Sequence, residues 1–339
     1  MKRMWFWIAG TAGLALLLAI IYSVTAYISF LVLLDAKGRV GVTVMNLVLP
    51  SNDILEMFED IPDEVMQAME DSRAWCDERP PAQWTLQSRD GLQLNGWYFE
   101  NPEPSHSYVI YCHGHGMKGS DFFIFTQSFA EQGFSVLFPD ARAHGESEGR
   151  YRGMGWLDTQ DLIDWAGLII ERDPQAEIML AGISMGGNTV LNAAGETLPP
   201  QVKCIVSDCP FTSVSDEIEA VLHDMFKIPV GGLTKSVGKI VQKKAGFSIT
   251  EASTLEQVKK ATLPLLIFHG EEDDFVPFRF GKAVYEAAAS ADKQFYPVAG
   301  AIHGESAIRD FDGYMSALFG FARRNMPQLR ERESARSTP

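Results

Sequence analysis

The five residues Gly182-Ile183-Ser184-Met185-Gly186 constrain this chain more than any other stretch. A short apolar run, Ile178-Met179-Leu180-Ala181, leads into them, and Gly187-Asn188-Thr189-Val190-Leu191-Asn192-Ala193-Ala194 can run on as a helix. A strand that turns into a helix over so few residues needs small neighbours, because separate backbone segments must come close together. The residue at the apex is pushed into a strained backbone region. A serine there is a candidate nucleophile. By itself the pentapeptide also fits a glycine-rich turn with an incidental serine, so the rest of the chain must supply what a serine nucleophile needs.

Serine attacks poorly at neutral pH because its hydroxyl must lose a proton as the new bond forms. A histidine within hydrogen-bond reach can take that proton, and an acid on the far side of the ring fixes the tautomer and stabilises the imidazolium. Both are present downstream. Residues 263–268 read as a buried strand that runs into His269-Gly270-Glu271-Glu272-Asp273-Asp274-Phe275-Val276-Pro277. A later strand, 294–298, runs into Ala299-Gly300-Ala301-Ile302-His303-Gly304. The order along the chain is therefore serine, acid, histidine, with acid and histidine each just past the end of a strand. His303 is the candidate base. Of its rivals, His223 falls in an insertion, His106 precedes a strand, and His269 supports the acid loop. Asp273, Asp274 and Asp208 are all candidates for the acid; the last follows a strand at 203–207.

Acyl transfer also needs donors for a developing oxyanion. The backbone N–H of Met185, next to the serine, can serve as one. The loop His113-Gly114-His115-Gly116, just past the strand at 108–112, is a candidate source of a second. The two histidines could also suggest a metal site, but no acid stands near them in sequence. No metal and no cofactor are expected.

The remaining pattern is an alternation of apolar strands and helices. A hairpin is predicted over 84–99 around Arg89-Asp90-Gly91, then strands at 108–112 and 134–138 and a helix over 122–131 stopped by Gly133. Leu157, Leu162, Trp165, Ala166 and Ile169 mark one face of a further helix, and others follow at 283–289 and about 305–324. Such alternation predicts a mostly parallel sheet covered on both faces. Residues 211–260 interrupt it with helical pieces and glycine-rich breaks, and read as a small cap over the strand ends. The formal net charge of −15 argues against a nucleic-acid partner. Four cysteines, Cys76, Cys112, Cys204 and Cys209, show no CxxC spacing.

Met4 to Leu34 is almost unbroken apolar sequence with no charge until Asp35. That exceeds the roughly 20 residues a spanning helix needs and the roughly 7–15 of a cleavable leader's core. The run predicts an uncleaved single-pass transmembrane anchor over 1–35, with the amino terminus inside and the rest of the chain extracytoplasmic. Residues 36–80 read as an amphipathic helical connector broken near Pro62, 81–326 as the main domain, and 327–339 as a disordered charged tail.

Taken together, these motifs resemble those of the α/β-hydrolase superfamily. The pentapeptide matches its nucleophile elbow, and the His269 to Pro277 stretch matches its His-Gly-x-x-Asp-x-x-Val-Pro pattern, which puts the triad acid at Asp273. Resemblance to the family's His-Gly-x motifs implies that the N–H of His115 is the second oxyanion donor. Asp140-Ala141-Arg142-Ala143-His144-Gly145-Glu146-Ser147 is similar to its Asp-x-Arg-Gly-His-Gly-x-Ser segment, with Ala143 in place of glycine and no catalytic role implied for His144. More narrowly, the apolar amino terminus, Gly153-Met154-Gly155-Trp156-Leu157-Asp158 and Asp208-Cys209-Pro210-Phe211-Thr212-Ser213-Val214 resemble a group of membrane-anchored bacterial hydrolases. The resemblance implies the α/β-hydrolase fold and a serine hydrolase, a carboxylesterase acting on small or lipid-like acyl esters. A peptide or acyl-peptide hydrolase, an acyltransferase and an inactive binding scaffold are the alternatives.

Overall fold

Eight strands form one sheet: β1 (Ala82–Gln87), β2 (Gln93–Phe99), β3 (Ser107–Cys112), β4 (Ser135–Pro139), β5 (Glu177–Ile183), β6 (Val202–Asp208), β7 (Leu265–Gly270) and β8 (Lys293–Val298). Their order across the sheet is β1-β2-β4-β3-β5-β6-β7-β8. The β1–β2 and β2–β4 pairs are antiparallel and the remaining pairs parallel. The computed structural model describes residues 2–37, 61–103, 105–225, 230 and 232–330, with side chains from Leu17 onward except at 224 and 225.

The helices are α1 (Lys2–Leu33), α2 (Asp63–Glu78), α3 (Thr126–Glu131), α4 (Asp158–Arg172), α5 (Met185–Ala193), α6 (Val214–Ala220), α7 (Leu233–Lys244), α8 (Thr254–Val258), α9 (Phe278–Ala287), α10 (Ser306–Arg309) and α11 (Phe311–Asn325). Central strands are apolar over most of their length because helices cover both faces; all of β4 and β5 is buried. Along β3 the side chains alternate. Val109 and Tyr111 join α2, α3 and α11 in one core, while Ile110 and Cys112 join α4, α5 and α9 in the other. The turn expected at Gly133 has φ 98°, which suits glycine. Parallel pairing leaves the carboxyl ends of β5, β6, β7 and β8 at one edge; Asp208 ends β6, and Ser184, Asp273 and His303 follow β5, β7 and β8.

A third apolar cluster corrects the reading of the amino terminus. Ala26 and Phe30 on the last turns of α1, and Leu34 just past its end, are buried among Met154, Phe211, Ile218, Leu233 and Val237. Hiding a side chain such as Phe30 contributes about 2 kcal/mol to this docking. Polar contacts continue it. Tyr22 meets Ser236 at 3.3 Å, the buried Asp35 pairs with Arg150 at 3.0 Å, and the Arg152 N–H donates to the Leu34 carbonyl at 2.9 Å. Among the described residues no helix is long and apolar enough to cross a membrane. The expected transmembrane anchor, and with it the single-pass, extracytoplasmic localisation, is therefore not upheld. Hydropathy alone does not distinguish a helix that packs on its own domain from one that meets lipid.

Two smaller differences concern the flanks. The part of the connector at 38–60 lies outside the described residues; from Asp63 it is the amphipathic α2, which buries Val65, Met69 and Cys76. The tail expected to be unstructured from 327 is helical as far as 330, because Leu329 is buried and the Gln328 N–H donates to Glu177 at 3.1 Å. Residues 331–339 lie outside the description. Between β6 and β7, α6, α7 and α8 occupy the interval read as a cap. All four cysteines are free and buried.

Candidate active site

Ser184 stands between β5 and α5 with φ 53° and ψ −118°, a conformation an L-residue adopts only under constraint. The pentapeptide glycines are required by contact. A Cβ on Gly182 would lie 2.5 Å from the backbone of Gly186, and one on Gly186 would collide with the Cys112 carbonyl. The turn is held by the Ser184 N–H donating to the Asp208 carbonyl at 2.8 Å. Asn188, fully buried on α5, ties the helix to the segment after β6 through the Phe211 backbone at 2.6 and 3.0 Å.

Three of the expected residues come together. Ser184 Oγ lies 3.0 Å from His303 Nε2, and His303 Nδ1 lies 2.7 Å from Asp273 Oδ2. With Nδ1–H donating to the carboxylate, Nε2 is free to accept the serine proton. Asp273 is 5% exposed and its other oxygen accepts the N–H groups of Phe275 and Val276 at 3.1 and 2.8 Å. Burial alone would raise its pKa, but His303 and His269 outweigh that and hold it at about 2. It is ionised at neutral pH. His269 contacts Asp273 at 3.3 Å and the Val276 carbonyl at 2.9 Å, so it braces the acid loop as expected. Of the alternative acids, Asp274 is exposed, and Asp208 accepts from Ser306 Oγ at 2.8 Å.

The loop bearing His115 passes directly beside the serine; a Cβ on Gly114 would lie 3.6 Å from Ser184 Cβ. Three imidazoles pin this loop. His113 Nδ1–H donates to the Gly114 carbonyl at 2.7 Å while its Nε2 accepts from Ala141 N–H at 3.0 Å. His144 Nε2 accepts the Gly116 N–H at 3.2 Å. His115 Nε2–H donates to the Leu33 carbonyl of α1 at 2.7 Å. Burial, reinforced by the nearby Arg152, holds the pKa of His115 at about 3. The ring is neutral and spoken for, which leaves its backbone as the part available to a ligand. Met185 opens α5, where a helix leaves its first N–H groups without intrahelical partners. Ala143, in the position where the family pattern has glycine, adopts φ 63°, so the usual glycine relieves a left-handed backbone.

Cys209 Sγ lies with Asp273 and His303 in a group whose ligating atoms fall within 4.8 Å of one another. Burial keeps that thiol protonated, and His303 Nδ1 already serves Asp273. The donor set fits a hydrogen-bonded chain better than a cation. A cavity of about 550 Å³ lined by Trp75, Trp84, Tyr98 and Arg172 includes none of these residues, so cavity size does not point to the serine. Sequence reasoning missed Phe275, whose ring lies 5.0 Å from that of His303. It also missed Asn188 and Arg152, whose burial comes only from tertiary packing.

Comparison with known proteins agrees with the fold. Residues 103–246 and 245–305 match the family model described as serine aminopeptidase, S33. The chain belongs to that family. It is an α/β-hydrolase. An uncharacterised Bacillus subtilis protein, YqkD, is 24% identical over 260 residues, covering 75% of this chain and 83% of that one. A lysophosphatidylserine lipase, ABHD12, of Macaca fascicularis is 28% identical over 223 residues, covering 62% of this chain and about half, 52%, of the relative. Among solved structures, the Pyrococcus furiosus esterase Pf2001 superposes with a TM-score of 0.60 at 21% identity, covering 74% of this chain and 94% of that one. That likeness speaks to the fold.

Proposed function

We propose that this hydrolase cleaves carboxylic esters through an acyl-enzyme, with Ser184 as nucleophile, His303 as general base and acid, and Asp273 as the group that orients and charges the imidazole. The observation that carries the reading is the unbroken chain from Ser184 Oγ to His303 to Asp273, at 3.0 and 2.7 Å. As Ser184 Oγ attacks the ester carbonyl, its proton passes to His303 Nε2. The tetrahedral oxyanion is met by the backbone N–H groups of Met185 and His115, and His303 returns the proton to the departing alcohol. Water then repeats the sequence on the acyl-enzyme. Asp273, held at about 2, stays ionised throughout and stabilises the imidazolium without itself taking the proton.

Ester chemistry is supported by the lipase and esterase among the similar proteins. The aminopeptidase name of the family supports an amide reading on the same residues. Turnover of matched p-nitrophenyl esters and p-nitroanilides of short acyl chains separates the two. The proposal expects kcat/KM to be higher on the ester by about 100-fold or more, since uniform chemistry favours the better leaving group and no amide-specific contact is invoked. Equal rates, or a preference for the anilide, would favour the peptidase reading.

A further inference from the structure

Two arginines ten residues apart are both withdrawn from water, and the fold treats them differently. Arg142, 7% exposed, donates to Asp161 through Nε and Nη2 at 2.9 and 2.8 Å and to Asp90 through Nη1 at 3.0 Å. Burial opposes its charge, and the two carboxylates outweigh that burial. Arg152 is just as hidden, at 8%, yet its Nε and Nη1 find no hydrogen-bond partner among the described residues. Burial pulls its pKa down and Asp35 opposes this only through space, because the Asp35 carboxylate is taken by both Nε and Nη2 of Arg150 at 3.3 and 3.0 Å. The nearby His115 and His144 are neutral, so neither supplies an opposite charge. A buried guanidinium with orphan donors costs several kcal/mol unless something anionic completes it.

The position of Arg152 says what that something is. Its own N–H donates to the Leu34 carbonyl, just past the end of α1. Its charge reaches His115, on the loop that runs against Ser184. Three residues on, Gly155 packs so close to α5 that a Cβ there would lie 2.7 Å from the Met185 carbonyl. Arg152 thus opens a segment whose backbone shares the Leu33–Leu34 carbonyls with the His115 ring and, at Gly155, packs on the start of α5. We propose that Arg152 receives an anionic group of the substrate, so that the esters this enzyme takes carry a carboxylate or phosphate oxygen close to the scissile bond. A planar guanidinium offers parallel N–H donors to either oxyanion, in the geometry that gives strong, charge-assisted pairs. Arg152 then acts in specificity, and the inference rests on the ester-hydrolase reading above.

The test compares two p-nitrophenyl esters of equal acyl length, the neutral valerate and the monoanionic glutarate. Wild type is expected to favour the glutarate ester in kcat/KM by about tenfold or more, chiefly through KM, as one charged hydrogen bond is worth that much. Arg152→Gln should lower the glutarate-to-valerate ratio by about tenfold or more, and Arg152→Lys should recover part of it. Inorganic phosphate and free glutarate, tried as competitive inhibitors of valerate hydrolysis, distinguish a phosphate from a carboxylate as the preferred group; tighter competition by either supports the site. A wild-type ratio at or below one overturns the inference, even if Arg152→Gln fails to fold, and so does a ratio unchanged by the substitution. Wild type that turns over neither ester and resists a fluorophosphonate probe would instead remove the hydrolase reading itself.

Discussion

Asp208 and Asp273 end neighbouring parallel strands, and both are buried, at 2% and 5% exposure. Burial pushes each carboxyl toward its neutral form, yet they end on opposite sides of the ordinary value. Asp208 is pushed up to about 6, chiefly by burial, with Ser306 and the more distant histidines offsetting little of it. Asp273 is held at about 2 because two imidazoles and two backbone N–H groups converge on it. The same residue type at equivalent strand ends is thus ionised in one case and close to half-protonated near pH 6 in the other. What separates them is the set of donors each loop supplies. A triad acid must be charged when the imidazolium forms, and only Asp273 has both that charge and the 2.7 Å contact to His303.

The largest expected effect follows directly. Asp273→Asn should lower kcat on an activated ester by about 10⁴-fold, through the wrong imidazole tautomer. Asp208→Asn should cost less than about tenfold, since its bond is to Ser306 and not to the base. Equal losses in the two variants would break the comparison. Stability should separate them as well, with opposite signs. The raised carboxyl of Asp208 favours folding fully below its unfolded value near 4, a contribution lost as pH rises through about 6. Replacing it by Asn should therefore raise the unfolding free energy at pH 8 relative to wild type, by on the order of 1–3 kcal/mol. Asp273 behaves in reverse: its stabilising contribution is present above about pH 4 and is lost only as pH falls through about 2. Urea unfolding against wild type measures this, at pH 5 and pH 8 for Asp208→Asn and at pH 2 and pH 5 for Asp273→Asn. The smallest effect is that of Ser306→Ala, about 1 kcal/mol for one buried hydrogen bond.

The distinction between the two carboxylates was only half legible in the residues. The His269 to Pro277 stretch resembles a known pattern and so ranked Asp273 first, but Asp208 also followed a strand, and nothing local revealed that its partner would be Ser306. The elbow was legible because steric demand is local: Gly182 and Gly186 are small where neighbouring backbone leaves no room. The sheet was legible for a similar reason, since strands buried on both faces are apolar over most of their length. The amino terminus is not legible because Phe30 and Leu34 meet residues about 200 positions away, and hydropathy carries no information on what an apolar residue will touch. Arg152 left no signal at all. An arginine without a partner looks in sequence like any surface arginine, and its burial arises only when the end of α1 closes over the segment.

The central claim is that Ser184 is the nucleophile of this chain, activated by His303. Labelling with a fluorophosphonate probe, followed by mass spectrometry of the modified peptide, tests it most directly. The account predicts one adduct, on Ser184, lost in Ser184→Ala and slowed by about 10³-fold or more in His303→Ala, where the base is gone. Persistent labelling of Ser184→Ala, or an unlabelled wild type that hydrolyses no ester, would contradict it.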